Sequence, residues 1–373
     1  MSVRLETVLA ARCDRRFAVA TGRAASAIAI TLDVLRAASP QRRAVILPAT
    51  LCLSPPAVTR LAGLEPVFCD CDPQTGAMDP VALEALLVSR TDVLCVMAVH
   101  LYGQPCRIGE IAALCRRSGV MLVEDAAQAW GARIDGAPAG SFGDVSIVSF
   151  GHTKVLDAGG GGAALCDDPA LAEALRAAAA DLPVKPDGLA EEAQAYRTRY
   201  YALAAEFETR PEARLAVGAL TLAHPGQYRY RIEDDQAGAV LDRLDETDGE
   251  LAHRRALAAI YESALDRSID RVPSSETGAP WRFGVLIDAA RRDSVVSALR
   301  ASGFDASTWY PCAARFFTPA PDAAWRGSRA LEARIVNLWV DRATTPEAAR
   351  AASALINEVL AQSGSSAMRK VGP

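Results

Sequence analysis

The chain has 373 residues, half of them hydrophobic and 23% charged, which is enough for about two or three packed domains and argues against an intrinsically disordered chain. Its net charge of −5 argues against a protein that binds nucleic acid by neutralising phosphates. No apolar run approaches the ~20 residues that span a bilayer and charges interrupt the whole N-terminal segment, so we expect a cytoplasmic protein with neither a membrane span nor a signal peptide.

Short apolar runs alternate with helical patterns over the first two-thirds of the chain. The helical patterns include 24–38, 80–88 and 108–117, and Asp79 is placed to cap the second of them. Apolar strands separated by helices are typical of parallel sheets, so we predict a large α/β domain over 1–225 with a mostly parallel seven-stranded sheet flanked by helices. The predicted strands are 17–20, 44–47, 66–69, 93–99, 120–124, 145–150 and 162–166.

The rest of the chain is predicted to form a smaller C-terminal α+β domain over 226–362. The segment before it, 187–223, is polar, helical and rich in aromatic residues, and 234–265 has the pattern of one long amphipathic helix. The final residues, 363–373, have the composition of a disordered tail. The elements expected in the smaller domain are a strand at 282–287, a helix at 291–301, a strand at 335–340 and a helix at 346–361.

Three residue counts bear on the chemistry. The nine cysteines are odd in number and scattered, which favours reduced thiols over a disulfide framework. Neither they nor the four histidines show metal-ligand spacing, so we expect no metal site. Only three of the 40 basic residues are lysines, namely Lys154, Lys185 and Lys370. Because lysine can lose its proton and form an imine whereas arginine stays charged, each lysine is a candidate for chemistry that arginine cannot perform.

The segment 123–166 combines the residue types of a pyridoxal phosphate (PLP) site. Asp125 ends one predicted strand, Ser149 lies at the end of the next, and Lys154 follows on a short turn. PLP needs a lysine for its aldehyde, an anion opposite its ring nitrogen and donors around its phosphate. The strand-to-helix junction at 21–24 suits the phosphate. The glycines at 159–162 do not match a dinucleotide-binding pattern and lead into a strand.

Further motifs follow in order along the chain. E-D-A-A-Q stands at 124–128, S-F-x-x-x-K at 149–154 and the glycine run at 159–162, with V-H-L-Y-G-Q before them at 99–104. The segment 229–237 is similar to an N-Y-R-x-x-x-x-Q-A motif. On these motifs the chain resembles the DegT/StrS-type sugar aminotransferases, PLP-dependent enzymes of the aspartate-aminotransferase fold class, fold type I. The resemblance covers nearly the whole chain.

The resemblance implies a role for each motif residue. Lys154 resembles the catalytic lysine that forms the imine and moves the proton, and Asp125 resembles the partner of the ring nitrogen. Arg229 stands where the family has an asparagine that completes phosphate ligation across a dimer interface, which implies a homodimer with shared active sites. His152 and Tyr310 are candidates for substrate contacts. The further cofactor-binding residues that the resemblance implies are Gln128 at the ring, Ser149 at the phosphate, and the Arg23 and Ala24 amides beside it.

Several positions depart from the family pattern. Arg23 replaces a small hydroxyl residue, Leu51 stands where an aromatic residue commonly stacks on the cofactor, the usual N-terminal arm is missing, and 187–223 is unusually long and helical. Arg23 and Arg229 suit either the phosphate or an acidic substrate. The structural alternatives for the motif residues are a surface lysine at 154, a helix cap at 125, a buried strand serine at 149, a solvated glutamine at 128 and a surface arginine at 229.

The expected function is a PLP-dependent transfer of an amino group from an amino acid, glutamate or glutamine, to a keto-sugar, a nucleotide-linked keto-sugar or a related cyclic ketone in sugar or secondary-metabolite biosynthesis. Another PLP reaction on the same scaffold is an alternative, although Lys154 argues against a dehydratase, whose relatives have histidine there. A second alternative is a non-catalytic protein that binds PLP or a sugar nucleotide as a regulator or partner.

Overall fold

The computed structural model describes residues 1–319, 321 and 323–368. Its strands are β1 (Phe17–Thr21), β2 (Ala44–Pro48), β3 (Glu65–Cys69), β4 (Val93–Val99), β5 (Met121–Asp125), β6 (Arg133–Ile134), β7 (Ala137–Pro138), β8 (Val145–Ser149), β9 (Gly162–Cys166), β10 (Asp270–Arg271), β11 (Phe283–Leu286), β12 (Ala306–Ser307) and β13 (Ile335–Leu338).

Its α-helices are α1 (Ser2–Arg12), α2 (Ala24–Ala38), α3 (Ser54–Leu61), α4 (Pro80–Ser89), α5 (Ile108–Ser118), α6 (Pro169–Ala180), α7 (Leu189–Ala204), α8 (Glu212–Leu222), α9 (Asp234–Leu244), α10 (Thr247–Ala264), α11 (Ala289–Ala301), α12 (Ala314–Phe317), α13 (Arg326–Arg334) and α14 (Pro346–Met368). Asp79 caps α4 as predicted, because its side chain accepts a hydrogen bond from the Val81 amide at 3.0 Å.

Seven strands form one sheet in the order β1-β9-β8-β5-β4-β2-β3. Neighbours from β8 to β3 pair in parallel, whereas β9 is antiparallel to both β1 and β8. The central strands are buried along their whole length, as expected for a sheet with helices on both faces. The prediction of a mostly parallel seven-stranded sheet is therefore confirmed. The carboxyl ends of β4, β5 and β8 lie at the same edge, where α/β proteins bind ligands.

A second, antiparallel sheet forms the core of the C-terminal part, in the order β10-β11-β13-β12. Helices α10, α11 and α14 pack with this sheet around one cluster of apolar side chains that extends from Leu257 to Ile356. The predicted smaller α+β unit is thus present. The exact boundary after residue 225 stays a prediction, since α9 packs in the cluster of the large sheet through Ala237 and Val240.

The single long helix predicted over 234–265 is wrong, because the chain forms two helices there. Helix α9 ends at Leu244 and α10 begins at Thr247. The apolar residues of α9 pack in the large-sheet cluster, and so does Leu251 near the start of α10, whereas Leu257 further along α10 packs in the small-sheet cluster. One continuous amphipathic pattern therefore conceals a break after Leu244, and α10 itself passes from one core to the other.

The predicted helical character of 187–223 is confirmed by α7 and α8, and α8 packs against α3 and α12. Helix α14 extends to Met368, so residues 363–368 of the expected disordered tail are helical, and 369–373 lie outside the described residues. All nine cysteines are unpaired, and every one except Cys52 is buried. Over the described residues, no helix combines the length and apolarity that a bilayer span requires, and no group of three metal-binding side chains is found.

Candidate active site

Lys154 lies in a tight turn after β8. The preceding residue, Thr153, has a positive φ of 69°, which is strained for a β-branched side chain. Two hydrogen bonds hold this turn: the Thr153 amide donates to Asp157 Oδ2 at 2.9 Å, and the Thr153 carbonyl accepts from Trp281 Nε1 at 2.7 Å. Because Trp281 belongs to the C-terminal part of the chain, both parts of the molecule fix the backbone that presents Lys154.

The side chain of Lys154 is partly buried among charged and polar neighbours. Burial lowers the pKa of Lys154 below its usual value; Cys52 and Asp125 oppose this shift, whereas the positive charges of Arg23 and Arg282 add to it. A lowered pKa increases the neutral amine near neutral pH, and the neutral amine is the form that acts as nucleophile or base. This environment does not fit the alternative of a surface lysine.

Asp125 ends β5 with a side chain that is only 7% exposed. One carboxylate oxygen accepts a hydrogen bond from the Ala127 amide at 2.9 Å. Burial raises the pKa of Asp125, while this hydrogen bond and the charge of Lys154 lower it. Within the described residues, no cationic group forms an ion pair with the carboxylate at 4.0 Å or less. A buried carboxylate without a cationic partner is costly, and a protonated ring nitrogen would provide one.

Glu124, one residue before Asp125, anchors the same strand end from the opposite face. Its carboxylate is fully buried and pairs with His100 Nε2 at 2.9 Å. His100 Nδ1 accepts from the Cys106 amide at 3.1 Å, so a neutral ring with its proton on Nε2 satisfies both nitrogens. The other donors to Glu124 are the amides of Gly140 (2.6 Å), Phe142 (2.7 Å) and Gly143 (2.9 Å) and the hydroxyl of Ser146 (3.0 Å).

We expect Glu124→Gln to lower the free energy of unfolding by about 3 kcal/mol at pH 7, because the amide leaves several buried donors unsatisfied. Burial alone would raise the pKa of Glu124, but the hydrogen bonds from His100 and the backbone outweigh burial and lower this pKa below its usual value. The carboxylate therefore stabilises the fold fully above its unfolded pKa, about 4.3, and this contribution is lost as the pH falls through the lower pKa of the folded state. Urea unfolding between pH 7 and pH 2 measures the effect.

The matched control is Glu84→Gln, since Glu84 is exposed and its ion pair with Arg117 is long, 3.4 Å. This variant is expected to unfold like the wild type. A difference between wild type and Glu124→Gln that stays the same from pH 7 to pH 2 would contradict the assigned ionised state of Glu124.

Gln128 and Tyr310 are joined within the site. Gln128 Nε2 donates to Tyr310 Oη at 3.1 Å, and Gln128 Oε1 accepts from the Tyr102 amide at 2.9 Å. The Tyr102 hydroxyl accepts from the Tyr310 amide at 3.1 Å, and the ring of Trp281 stacks on Tyr310 with centroids 5.5 Å apart. Burial raises the pKa of Tyr310 well above its usual value, so its hydroxyl stays protonated. Gln128 is 5% exposed, so it is not a solvated helix residue.

The N-terminus of α2 lies beside the end of β8. Ser149 pairs with Gly162 in the β8–β9 ladder, and a Cβ atom on Gly162 would lie 2.3 Å from the Ala24 amide nitrogen. No side chain caps α2, so the amides of its first turn can bind an anion such as a phosphate. Arg23 flanks this end, but its guanidinium donates to the Gln227 carbonyl and lies 5.8 Å from the Tyr228 ring centroid.

Two of the candidate residues have other partners. Arg229 forms an ion pair with Asp33 at 2.6 Å, and its side chain is 36% exposed. His152 is 83% exposed and its Nδ1 lies 3.1 Å from Asp157 Oδ2, at the outer side of the Lys154 turn. The other candidate residues lie at or after the ends of β5 and β8, at the N-terminus of α2, or in hydrogen-bond contact with a residue there. They are Lys154, Asp125, Gln128, Ser149, Arg23, Ala24 and Tyr310.

The structure indicates one residue near the site that sequence reasoning missed. Leu51 is 1% exposed in the core, whereas its neighbour Cys52 is only partly buried and is close enough to Lys154 to oppose the lowering of its pKa. No local sequence pattern distinguishes these two positions.

These residues fit PLP on three observations of the structure. Among the described residues the buried Asp125 carboxylate has no cationic partner, the partly buried Lys154 has a lowered pKa, and the α2 N-terminus is uncapped beside a glycine with no room for a side chain. Together with the seven-stranded sheet, they define the class of the PLP-dependent aminotransferases of fold type I.

The chain belongs to the DegT/DnrJ/EryC1/StrS aminotransferase family, whose model matches residues 1–356. It is 29% identical over 311 residues to a GDP-perosamine synthase of Caulobacter vibrioides, covering 81% of this chain and 74% of that protein. It is also 28% identical over 313 residues to a pleiotropic regulatory protein of Geobacillus stearothermophilus, covering 83% and 74%. The solved structure of DesI with its TDP-sugar product matches with a TM-score of 0.76 and 25% identity, covering 100% of this chain and 87% of DesI.

Proposed function

We propose that this aminotransferase moves the amino group of an amino acid, glutamate or glutamine, to a keto-sugar, a nucleotide-linked keto-sugar or a related cyclic ketone in sugar or secondary-metabolite biosynthesis. The observation that carries the proposal is the presence in one site of Lys154, whose pKa burial lowers, and of the buried carboxylate of Asp125. The family membership and the sugar-directed names of two similar proteins, a GDP-perosamine synthase and a structure with a TDP-sugar product, support the acceptor class.

Each site residue would have a different role toward the cofactor, set by its position. When bound, PLP supplies an electron-poor ring that stabilises negative charge on the substrate carbon. Lys154 would hold the cofactor covalently and, once released, carry a proton to and from the reacting carbon as a base. Asp125 would keep the ring nitrogen protonated through a charge-assisted hydrogen bond. Gln128 would lie against the ring, and Ser149 with the Ala24 amide would hold the phosphate.

The donor is tested by incubating the PLP-loaded protein with single amino acids and following conversion of the cofactor to its amino form by absorbance. Glutamate or glutamine is expected to convert it, and related amino acids much more slowly. The converted protein is then mixed with keto-sugars, free and nucleotide-linked, and the amino product is identified by mass spectrometry. Failure of every amino acid to convert the bound cofactor would contradict the proposal.

A non-catalytic regulator is the second candidate, because one similar protein is named a pleiotropic regulatory protein and because Arg23 and Leu51 depart from the family pattern. The same experiment separates the two functions. A regulator is expected to bind PLP or a sugar nucleotide, measured by calorimetry, with no turnover for any donor and acceptor pair.

We also propose a cytoplasmic homodimer that shares residues between its active sites, on the basis of the family's asparagine position, occupied here by Arg229. Light scattering measures the mass in solution. A monomer that retains full transfer activity would contradict this arrangement.

A further inference from the structure

Helices α7 and α8 form a helical insert over 187–223, a segment that departs from the family pattern, and this insert contacts the chain next to the active site. Tyr200 on α7 is 9% exposed, and its ring stacks on that of Trp309 with centroids 5.4 Å apart and planes at 24°. Trp309 precedes Tyr310, and their two rings meet edge to face at 5.6 Å. A row of three aromatic rings therefore connects the insert to Tyr310.

Tyr310 is the end of this row that belongs to the active site. Its hydroxyl accepts a hydrogen bond from Gln128 Nε2 at 3.1 Å, and its amide donates to the Tyr102 hydroxyl at 3.1 Å. On the other side, Asn337 Nδ2 on β13 donates to the Trp309 carbonyl. The last two hydrogen bonds fix the backbone here, whereas the orientation of the Trp309 ring depends on the rings packed against it.

The stack on the insert supplies one face of the Trp309 environment. In the described part of the chain, the rings that pair with that of Trp309 are those of Tyr200 and Tyr310. Trp309 is only partly buried, so without Tyr200 its indole could turn toward solvent and leave the edge of Tyr310. Aromatic pairs with this geometry are favourable beyond the apolar area that they bury. The Tyr200 ring therefore holds Trp309 against Tyr310.

The insert is fixed well enough to give this support. A Cβ atom on Gly218 of α8 would lie 1.8 Å from the carbonyl oxygen of Phe316 on α12, so the two backbones are in direct contact. The Phe207 ring meets the Phe316 ring edge to face at 5.5 Å, and the guanidinium of Arg214 lies 4.7 Å from the Phe207 centroid. Arg214 also forms an ion pair with Glu332 on α13 at 3.7 Å. These contacts anchor the insert independently of the row of three rings.

We propose that Tyr200 is a positioning residue that acts through Trp309 and holds the Tyr310 hydroxyl at Gln128. The inference rests on the proposed transamination, in which Tyr310 contacts the substrate and Gln128 lies against the cofactor ring. It assigns to the helical insert a role in setting the geometry of the site, although the insert carries none of the site motifs. Small displacements of groups that position a reacting molecule cost a large part of the rate.

The kinetic test is a double-mutant cycle between Tyr200 and Tyr310. Tyr200→Leu keeps apolar volume in the core but removes the ring, so it is expected to lower kcat for amino transfer about 10-fold. Tyr200→Phe keeps the stack on Trp309 and is expected to retain the kcat of the wild type. In a Tyr310→Phe background, Tyr200→Leu is expected to lower kcat by less than about twofold, because the hydroxyl that it positions is already absent.

The cycle separates positioning from a loss of folded protein, which would lower kcat by the same factor in both backgrounds. The matched control is Tyr201→Ala, since Tyr201 lies on the same helix, is 62% exposed and contacts the ring of Tyr200 rather than that of Trp309. This control is expected to transfer as the wild type does. An equal effect of Tyr200→Leu with and without the Tyr310 hydroxyl, or an equal loss in Tyr201→Ala, would overturn the assignment.

A second measurement does not depend on turnover. Crystal structures of the wild type and of Tyr200→Leu give the distance between Gln128 Nε2 and Tyr310 Oη. This distance is expected to stay near 3.1 Å in the wild type and to exceed about 3.5 Å, the limit of a hydrogen bond, in the variant. An unchanged distance in the variant would contradict the positioning role. If the distance lengthens but the wild type transfers no amino group, the proposed function fails while the positioning role stands.

Discussion

Lys154→Ala is expected to lower kcat for amino transfer by at least about 10³-fold, the upper part of the range that a positioned general base contributes. We expect this large effect because of where Lys154 lies. It is the partly buried lysine of the site, and hydrogen bonds to Asp157 and Trp281 fix the turn that holds it. Without the amine, the protein loses both the covalent attachment of the cofactor and the proton carrier. Steady-state kinetics with glutamate measures the loss.

The attachment itself is measured by borohydride reduction followed by peptide mass spectrometry. The wild type is expected to carry the added mass on the peptide that contains Lys154, and the variant to carry none. Lys185→Ala is the matched control, because Lys185 is exposed and is expected to change neither result. Near-normal transfer by a folded Lys154→Ala would remove this lysine from the mechanism.

Asp125→Asn is expected to lower kcat by about 100-fold and to weaken cofactor binding. The amide is isosteric and keeps an oxygen for the Ala127 amide, but it lacks the charge that holds a ring nitrogen protonated. A charge-assisted hydrogen bond contributes about 1.5–3 kcal/mol, and each 1.36 kcal/mol corresponds to about tenfold in rate. Kinetics and calorimetric titration with PLP measure the two effects.

The pH dependence of cofactor binding provides a second readout. Burial raises the pKa of Asp125, so we expect PLP affinity of the wild type to fall as the pH decreases and this carboxylate becomes protonated. Asp125→Asn is expected to lack that dependence. The control Asp181→Asn changes an exposed aspartate and is expected to bind PLP as the wild type does. A PLP affinity of Asp125→Asn equal to that of the control would refute the role of Asp125.

Much of the architecture follows from local sequence patterns. The seven strands were predicted in position because each is a short apolar run between helical segments, and their burial confirms it. The candidate site residues were also predicted from local patterns, because Asp125, Ser149 and Lys154 lie at or after strand ends that a parallel sheet brings to one edge. The single helix predicted over 234–265 was wrong because the apolar periodicity continues from α9 into α10 and does not reveal the break between Leu244 and Thr247.

The amino-acid sequence by itself determined the fold class and the lysine and carboxylate that a PLP site requires, because both depend on residue type and on order along the chain. Tertiary structure alone decided that Arg229 pairs with Asp33 and that Leu51 is buried in the core. These properties arise from burial and from contacts between residues distant in sequence. Whether a charged side chain is neutralised depends on neighbours that no local pattern encodes.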